Sequence, residues 1–306
     1  MTSIVEVYRR WPTKDDCVAH LEKVRWGKSP ICPYCGADRV SRNRDASRDM
    51  TASRWKCQRC KRSFSVTVGT IFHNTHVDLQ RWFLLISLML SAKKGLSAMQ
   101  AARDLEMRRP TVWSMMHRVR KAMAENGAEL LRGIVEMDEA YVGGKPRRRN
   151  RRSDDPPGGQ GQTTKEPIVG AVERGGRVKA KPVARTELTG DDMAAFFREA
   201  VDPKGTMLTT DSSTLYNGFN RFVAHRSINH SVVYSERDLF APLYGATHTN
   251  TIESFWAIVK RAIVGQFHHV SRKYLSLYLN EIAYRYNRRA APTIPLDGVL
   301  HLAVNP

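Results

Sequence analysis

Two rhythms of apolar and polar residues run along this chain, and the change from one to the other marks its sections. From about residue 73 to 131 the apolar positions recur at helical spacing. VDLQRWFLLISLMLSAKKG predicts one buried helix stopped by Gly95, a residue suited to helix ends. LSAMQAARDLEMRRPTVWSMMHRVRKAM predicts two shorter helices around a turn at Glu106 to Arg109. The first is capped by Ser97 and turns Met99, Ala102 and Leu105 inward. The second starts near Pro110 and turns Val112, Met115, Met116 and Val119 inward. After about Arg132, strand-like and helix-like runs alternate. RGIVEMDEAYVGG predicts a strand with Asp138 near its middle, and PIVGAVERGGRVKAKPVARTELT two more joined at Gly175-Gly176, together a three-strand meander. GDDMAAFFREAVDP predicts a helix capped near Gly190 or Asp191, and TMLTTDSSTLY a short strand ending at Asp211.

The helix predicted over NTIESFWAIVKR, Asn250 to Arg261, has an unusual border. Ile252, Phe255, Trp256, Val259 and Ile263 form one apolar arc, and Glu253 and Lys260 lie together at its edge. Positions seven apart on a helix fall within about 20° of each other. A half-exposed ion-pairing face accounts for such a pair in most helices. The alternative is a chemical task at the rim of the core.

Length and charge narrow the possibilities. The chain has 306 residues, enough for two or three domains, and its 42% hydrophobic content argues against wholesale disorder. Lys and Arg number 49 against 30 for Asp and Glu, a net charge of +19. An excess of that size favours a polyanionic partner, nucleic acid above all. A membrane surface is the competing partner, but the longest apolar run, Trp82 to Leu90, is too short to span a bilayer. The N-terminal MTSIVEVYRRWPTKDD lacks the apolar core of a signal peptide, so a cytoplasmic protein is expected. Four sections follow: a helical leader over 1–26, a cysteine-bearing section over 27–72, a helical section over 73–131 and a strand–helix section over 132–306. The last contains a basic Gly- and Pro-rich insert over 143–165, with Lys145 among its cations.

Cys32 with Cys35 and Cys57 with Cys60 make two CxxC knuckles about twenty residues apart, the spacing of a four-thiolate zinc site. The strand-like RWKC and RSFSVTVGT around the second knuckle predict a zinc ribbon. Four sulfurs close the coordination sphere, so this zinc is structural. Cys17, outside the knuckles, is expected to be a buried packing thiol. Arg39, Arg42, Arg44, Arg48, Arg54, Lys56, Arg59, Lys61 and Arg62 surround the knuckles, a density suited to phosphate contact, though an ordinary solvated face is also cationic. The two short helices with their tight turn match a helix-turn-helix. In it the second helix would offer Arg108, Arg109, Thr111, Trp113, Ser114, His117 and Arg118 to the major groove of double-stranded DNA. Many helical hairpins of this kind bind nothing. The neighbouring basic ribbon is what favours the DNA-binding reading.

In the last section the order is three strands, helix, strand, helix, with Asp138 on the first strand, Asp211 at the end of the fourth and Glu253 on the later helix. That is the element order of an RNase H-like nuclease core, a mixed α/β fold. Phosphodiester chemistry in such a core needs carboxylates that hold two divalent cations about 4 Å apart. Hard oxygen ligands suit Mg²⁺ or Mn²⁺. Taken singly, Asp138 and Asp211 are equally well explained as a strand-end polar residue and a turn residue.

CPYCG, WKCQRCKRSFSVTVGTIF, VEMDEAYVGGK, TTDSSTLYNGF, HTNTIESFWAIVKRAIVGQFHHVSRK and YLNEIAYRYNRR, in this order, resemble insertion-sequence transposases of the IS1595 group with an ISXO2-like catalytic domain. The resemblance covers nearly the whole chain after about residue 20. It implies a zinc ribbon, a DNA-binding helical segment and a DDE-type catalytic domain. Its implied activity is binding of the element's terminal inverted repeats, metal-dependent strand cleavage and strand transfer. The family's first two acids map to Asp138 and Asp211. Its third position is Glu in some members and Asn in others, with Lys seven residues on. Glu253 with Lys260 fits that spacing, and Asn250, one turn earlier, is a supporting candidate. His268, His269, Arg272 and Lys273 are further candidates for DNA contact, and a dimer or higher homo-oligomer on DNA is expected. A catalytically inactive DNA-binding regulator, or a nuclease without strand transfer, are the competing functions.

Overall fold

The computed structural model describes residues 3–42, 54–124, 129–143, 165–183, 188–229, 246–291 and 295–305. Arg44, Arg48, Lys145 and residues 144–164 of the basic insert lie outside the described residues. The chain forms two compact units, one of Met1–Ala124 with Arg288–Pro306, the other of Glu125–Asn287.

The first unit begins with α1 (Ile4–Arg10) and α2 (Lys14–Trp26). A capping box starts α2: Thr13 and Asp16 satisfy each other's backbone N–H groups. Cys17 is buried on α2, as its packing role requires, and burial pushes its thiol up to about 12. Three short antiparallel strands follow, β1 (Val40–Arg42), β2 (Trp55–Cys57) and β3 (Ser63–Phe64), in the order β1-β2-β3. The helical section contains α3 (Leu79–Ser91), α4 (Ala98–Asp104) and α5 (Arg109–Ala122). Gly95 does not end α3, which stops at Ser91. Gly95 instead has φ 96° in the turn that follows, a conformation glycine takes without strain. Ser97 caps α4 by accepting from the Gln100 N–H. Met99 is 47% exposed rather than inward, because the buried stripe of α4 runs through Ala101, Ala102 and Leu105. On α5 the expected Val112, Met115, Met116 and Val119 are all buried.

The unit is completed by α9 (Leu296–Val304), whose apolar face carries Leu296, Val299, Leu300, Ala303 and Val304. The sequence sections placed this helix with 132–306, but it packs against α2, α3 and α5. Ile71 N–H donates to Ala303 O at 3.1 Å, and His20 Nε2 lies 2.7 Å from Asp297 Oδ1. A short, strongly apolar helix has to bury its face wherever a matching surface exists, and chain order does not reveal where that is.

The second unit is a five-stranded sheet. Its strands are β4 (Leu131–Val142), β5 (Glu166–Glu173), β6 (Val178–Pro182), β7 (Val201–Asp211) and β8 (Ala224–Ile228). They lie in the order β6-β5-β4-β7-β8. The meander β4-β5-β6 is antiparallel, and β7 and β8 then join in parallel. The crossover from β6 to β7 is α6 (Gly190–Ala200), capped by Thr189 in a second capping box with Asp192. Period-two alternation gives β4 two faces. Val135 and Met137 join Val169, Ala171, Leu208 and the inner side of α6. Ala140 and Val142 face α7 (Asn250–Arg261) and α8 (Arg272–Tyr286), packing with Ile252, Phe255, Trp256, Val259 and Leu279. Among the described residues no helix is long and apolar enough to cross a membrane.

Candidate active site

In the cysteine section the four thiols converge. One sulfur from each of Cys32, Cys35, Cys57 and Cys60 lies within 4.8 Å of the others. Cys32 and Cys60 are 3.7 Å apart and Cys35 and Cys57 3.6 Å. A tetrahedral zinc with Zn–S bonds of about 2.3 Å has sulfur–sulfur edges of about 3.8 Å. These spacings match that tetrahedron and are far longer than a disulfide. Gly36, at φ 69°, lets the first knuckle turn, and its N–H donates to Cys32 O. The Cys57 thiol is lowered to about 6, first by the Cys60 N–H at 3.4 Å. Its neighbour Cys35 is raised to about 11: the Ala37 backbone hydrogen bond lowers it, but burial and the adjacent thiols together outweigh that bond. The zinc ribbon of the described chain is therefore a fitting zinc site.

The acidic site forms where β4 and β7 run parallel. Their last paired rung is Glu136 with Thr209, so Asp138, within β4, and Asp211, at the end of β7, both stand two residues beyond the point where the parallel pairing stops. Asp138, Asp211 and Glu139 each bring a carboxylate oxygen within 4.8 Å of the others. Asp211 also serves the turn that the sequence allowed for: one oxygen accepts from Ser213 N–H at 3.0 Å. Trp256 Nε1–H donates to Asp138 Oδ2 at 3.0 Å, and Tyr216 O–H donates to Glu139 Oε2 at 2.8 Å. Burial, with Glu139 and Asp211 alongside, pushes Asp138 up to about 7. Glu139 and Tyr216 are raised too, each first by burial. Carboxylates crowded into a half-buried site in this way repel one another, and either a proton or a divalent cation relieves the repulsion. All three donors are hard oxygens, which fits Mg²⁺, Mn²⁺ or a similar ion.

Glu253 is not within that cluster. It is exposed on α7, one turn before Trp256, and Thr249 Oγ1–H donates to its Oε1 at 3.0 Å. Asn250 and Lys260 are exposed on the same helix. Glu139 takes the place beside the two aspartates. The sequence hides it, because successive strand residues point to opposite faces. Its carboxylate nonetheless reaches the site because the pairing of β4 with β7 has ended and that edge of the strand is open.

Among the residues expected to meet DNA, Arg108, Arg109, Trp113 and Ser114 are exposed on or beside α5, and Thr111 is half-buried. Trp113 is 37% exposed. His117 is not accessible as the sequence reading expected, whereas Arg118 is exposed but already hydrogen-bonded to backbone. The His117 ring is buried and packs on Trp113 with centroids 4.0 Å apart, and its Nδ1 is 2.9 Å from Trp113 O. Arg118 Nη1 donates to Ile71 O and His73 O, both at 3.0 Å, bracing the chain before α3. In the second unit His268, His269 and Lys273 are exposed, while Arg272 pairs with Glu166 at 3.0 Å.

Gly170 lies opposite Asp138 in the β4–β5 ladder. A Cβ there would stand 2.7 Å from Trp256 Cη2 and 2.8 Å from Cζ2, so the indole seats directly on glycine backbone. Gly170→Ala should therefore displace the indole that holds Asp138 and destabilise the protein by about 1–3 kcal/mol, the usual cost of overpacking. Thermal unfolding measures it, and Trp256→Phe in the same chain should recover part of the loss. An unchanged melting temperature for Gly170→Ala would show that the ring is not held there.

A sheet with its strands in chain order 3-2-1-4-5, and carboxylates just past the last rung of its β4–β7 pairing, defines an RNase H-like enzyme domain. Residues 130–287 match the ISXO2-like transposase domain and residues 12–63 the transposase zinc-ribbon domain. The first match spans more than half of the chain, which belongs to the ISXO2-like transposase family and is a DNA transposase. A protein in transposable element ISH50 of Halobacterium salinarum is 25% identical over 288 residues, 87% of this chain and 88% of the relative. A simian T-cell lymphotropic virus intasome, in complex with a PP2A regulatory subunit, shows 14% identity over 59% of this chain and 63% of that one, with a TM-score of 0.28. The Mos1 strand transfer complex shows 11% identity over 68% and 77%, with a TM-score of 0.21. The fold assignment rests on the strand order and the family, not on these distant likenesses.

Proposed function

We propose that this transposase binds the terminal inverted repeats of its element, cleaves there and joins the freed 3′-hydroxyl ends to target DNA. Two Mg²⁺ or Mn²⁺ ions are held by Asp138 and Asp211, the ligand set being completed by Glu253 from α7 or by Glu139 beside them. The observation that carries the reading is the meeting of Asp138 and Asp211 beyond the last paired rung of adjacent parallel strands, from positions far apart in sequence. When bound, the two ions activate the attacking oxygen and stabilise the leaving one. The chain's own residues arrange the site around them. Trp256 orients Asp138, Tyr216 orients Glu139, and α7 brings Glu253 to the rim one turn away. Asn250 supports the same rim, and Lys260 holds a phosphate of the DNA end. Recognition belongs to the first unit, where Arg108, Arg109, Thr111, Trp113 and Ser114 read the groove and the basic ribbon contacts phosphates. Pairing two element ends calls for at least two copies of the chain.

The test uses purified protein, end-labelled DNA carrying the element's termini, a target plasmid and Mg²⁺. Cut strands and labelled plasmid are the expected products, and binding should weaken steeply with salt as counterions are released. Cutting without labelled plasmid would make the protein a nuclease, and selective binding without cutting would make it a regulator. Either result overturns the proposal.

A further inference from the structure

We propose that Glu136 is a positioning residue for the reaction: its carboxylate seats the first turn of α7 and so sets where Trp256 and Glu253 stand relative to Asp138. The inference rests on the reading of Asp138 as a cation ligand. Glu136 is fully buried, two residues before Asp138 on the same face of β4. Its Oε2 accepts from the Thr251 and Ile252 N–H groups at 2.8 and 3.0 Å, and its Oε1 accepts from Thr251 Oγ1–H at 2.9 Å. The first N–H groups of a helix have no partner within the helix, and its N-terminus favours negative charge. Thr249, in the N-cap position, makes no side-chain capping bond to them. A strand residue 115 positions earlier than Thr251 does the capping instead.

The charge of Glu136 is matched by Arg174, which follows β5. Arg174 Nε donates to Glu136 Oε1 at 2.6 Å, while its two terminal nitrogens donate to Ala246 O and His248 O at 2.7 and 2.8 Å. His248 Nδ1 lies 3.2 Å from the same Oε1. One carboxylate and one guanidinium thus join β4, the turn after β5, the approach to α7 and its first turn. Spacing turns this into an alignment device. Two strand residues advance about 6.8 Å, and four helix residues advance about 6 Å. The step from Glu136 to Asp138 therefore matches the step from Ile252 to Trp256. The helix is held at two points, by Glu136 at its start and by Asp138 one turn on. Apolar packing alone allows small slides of a helix on a sheet. A hydrogen-bonded carboxylate under the first turn does not, since a slide would strand a buried charge.

The test is Glu136→Gln in the full chain, which keeps shape and removes charge. In the metal-free protein, hydrogen exchange at the Thr251 and Ile252 amides should quicken by at least about tenfold, as loss of a charge-assisted bond implies. In the cleavage assay kcat should fall by about 10- to 100-fold, the usual effect of removing a partner that orients a metal ligand, with KM for end DNA unchanged. Thr251→Val, which keeps the charge and deletes one bond, should move kcat the same way by less. A folded Glu136→Gln protein with wild-type exchange and kcat overturns the inference. So does wild-type kcat in Thr251→Val should Glu136→Gln fail to fold. Asp138→Asn run alongside separates the two readings: if it also cuts normally, the cation-ligand assignment has failed and not the alignment alone.

Discussion

Asp138→Asn should abolish strand cleavage, by at least about 1000-fold, and leave binding to the element's ends intact. The metal's contribution to such chemistry is several kcal/mol, and each 1.36 kcal/mol is about tenfold. Asparagine keeps the shape of the side chain and can still accept the Trp256 N–H, so α7 stays seated. The change removes one of three crowded carboxylates, and the metal-free variant should melt no lower than the wild type at neutral pH. Gel-based cleavage, a binding titration and a melting curve on one preparation separate these effects. Cleavage near the wild-type rate would overturn the assignment of the acidic site. Glu139→Gln and Glu253→Gln in the same gel show which carboxylate completes it. One already stands in the cluster, and the other is borne on α7, one turn before the Trp256 that bonds Asp138.

The second large effect belongs to zinc. Cys57→Ser should release about one zinc per chain, and the ribbon should unfold with it, because structural zinc binding in such small modules supplies about 10–16 kcal/mol of apparent free energy. The strands of the ribbon are only two or three residues long. Its core is Cys32, Cys57 and Phe64 with a few half-buried neighbours, too small to hold itself together. Metal analysis together with the tryptophan fluorescence of Trp26 and Trp55, which pack edge-to-face, reads both consequences. A zinc-free protein with that fluorescence unchanged would mean that the ribbon stands without its ion.

Much of this was legible where chemistry or periodicity acts locally. The knuckles declare themselves because tetrahedral thiolate ligation dictates residue type and spacing together. Strands β4 and β5 follow from apolar runs bounded by glycine turns, β6 from the turn that joins it to β5, and the inward face of α5 from helical spacing. What stayed hidden depends on partners distant in sequence. Strand β8, AHRSI, is a polar edge strand with no alternation to mark it. Strand β7 begins at Val201, but its Asp-Pro-Lys-Gly start resembles a turn, and the bulge near Gly205 explains how it remains a strand. Glu136 passes for the polar face of an ordinary strand until Arg174 and the start of α7 are seen closing over it. His117 looked accessible on a basic helix, but its ring covers the gap beside Trp113.

The placement of α9 bears on how the molecule is made. A ribosome releases the catalytic segment, Glu125–Asn287, before the helix that completes the other unit has been synthesised. The sheet of the second unit can therefore close while the first unit still lacks a wall of its core, a reversal of the usual N-terminal-first order of folding. Until Leu296–Val304 emerges, the matching surfaces of α2, α3 and α5 remain uncovered. A chain cut short by a premature stop codon would carry its acidic site beside a first unit with an unfinished core.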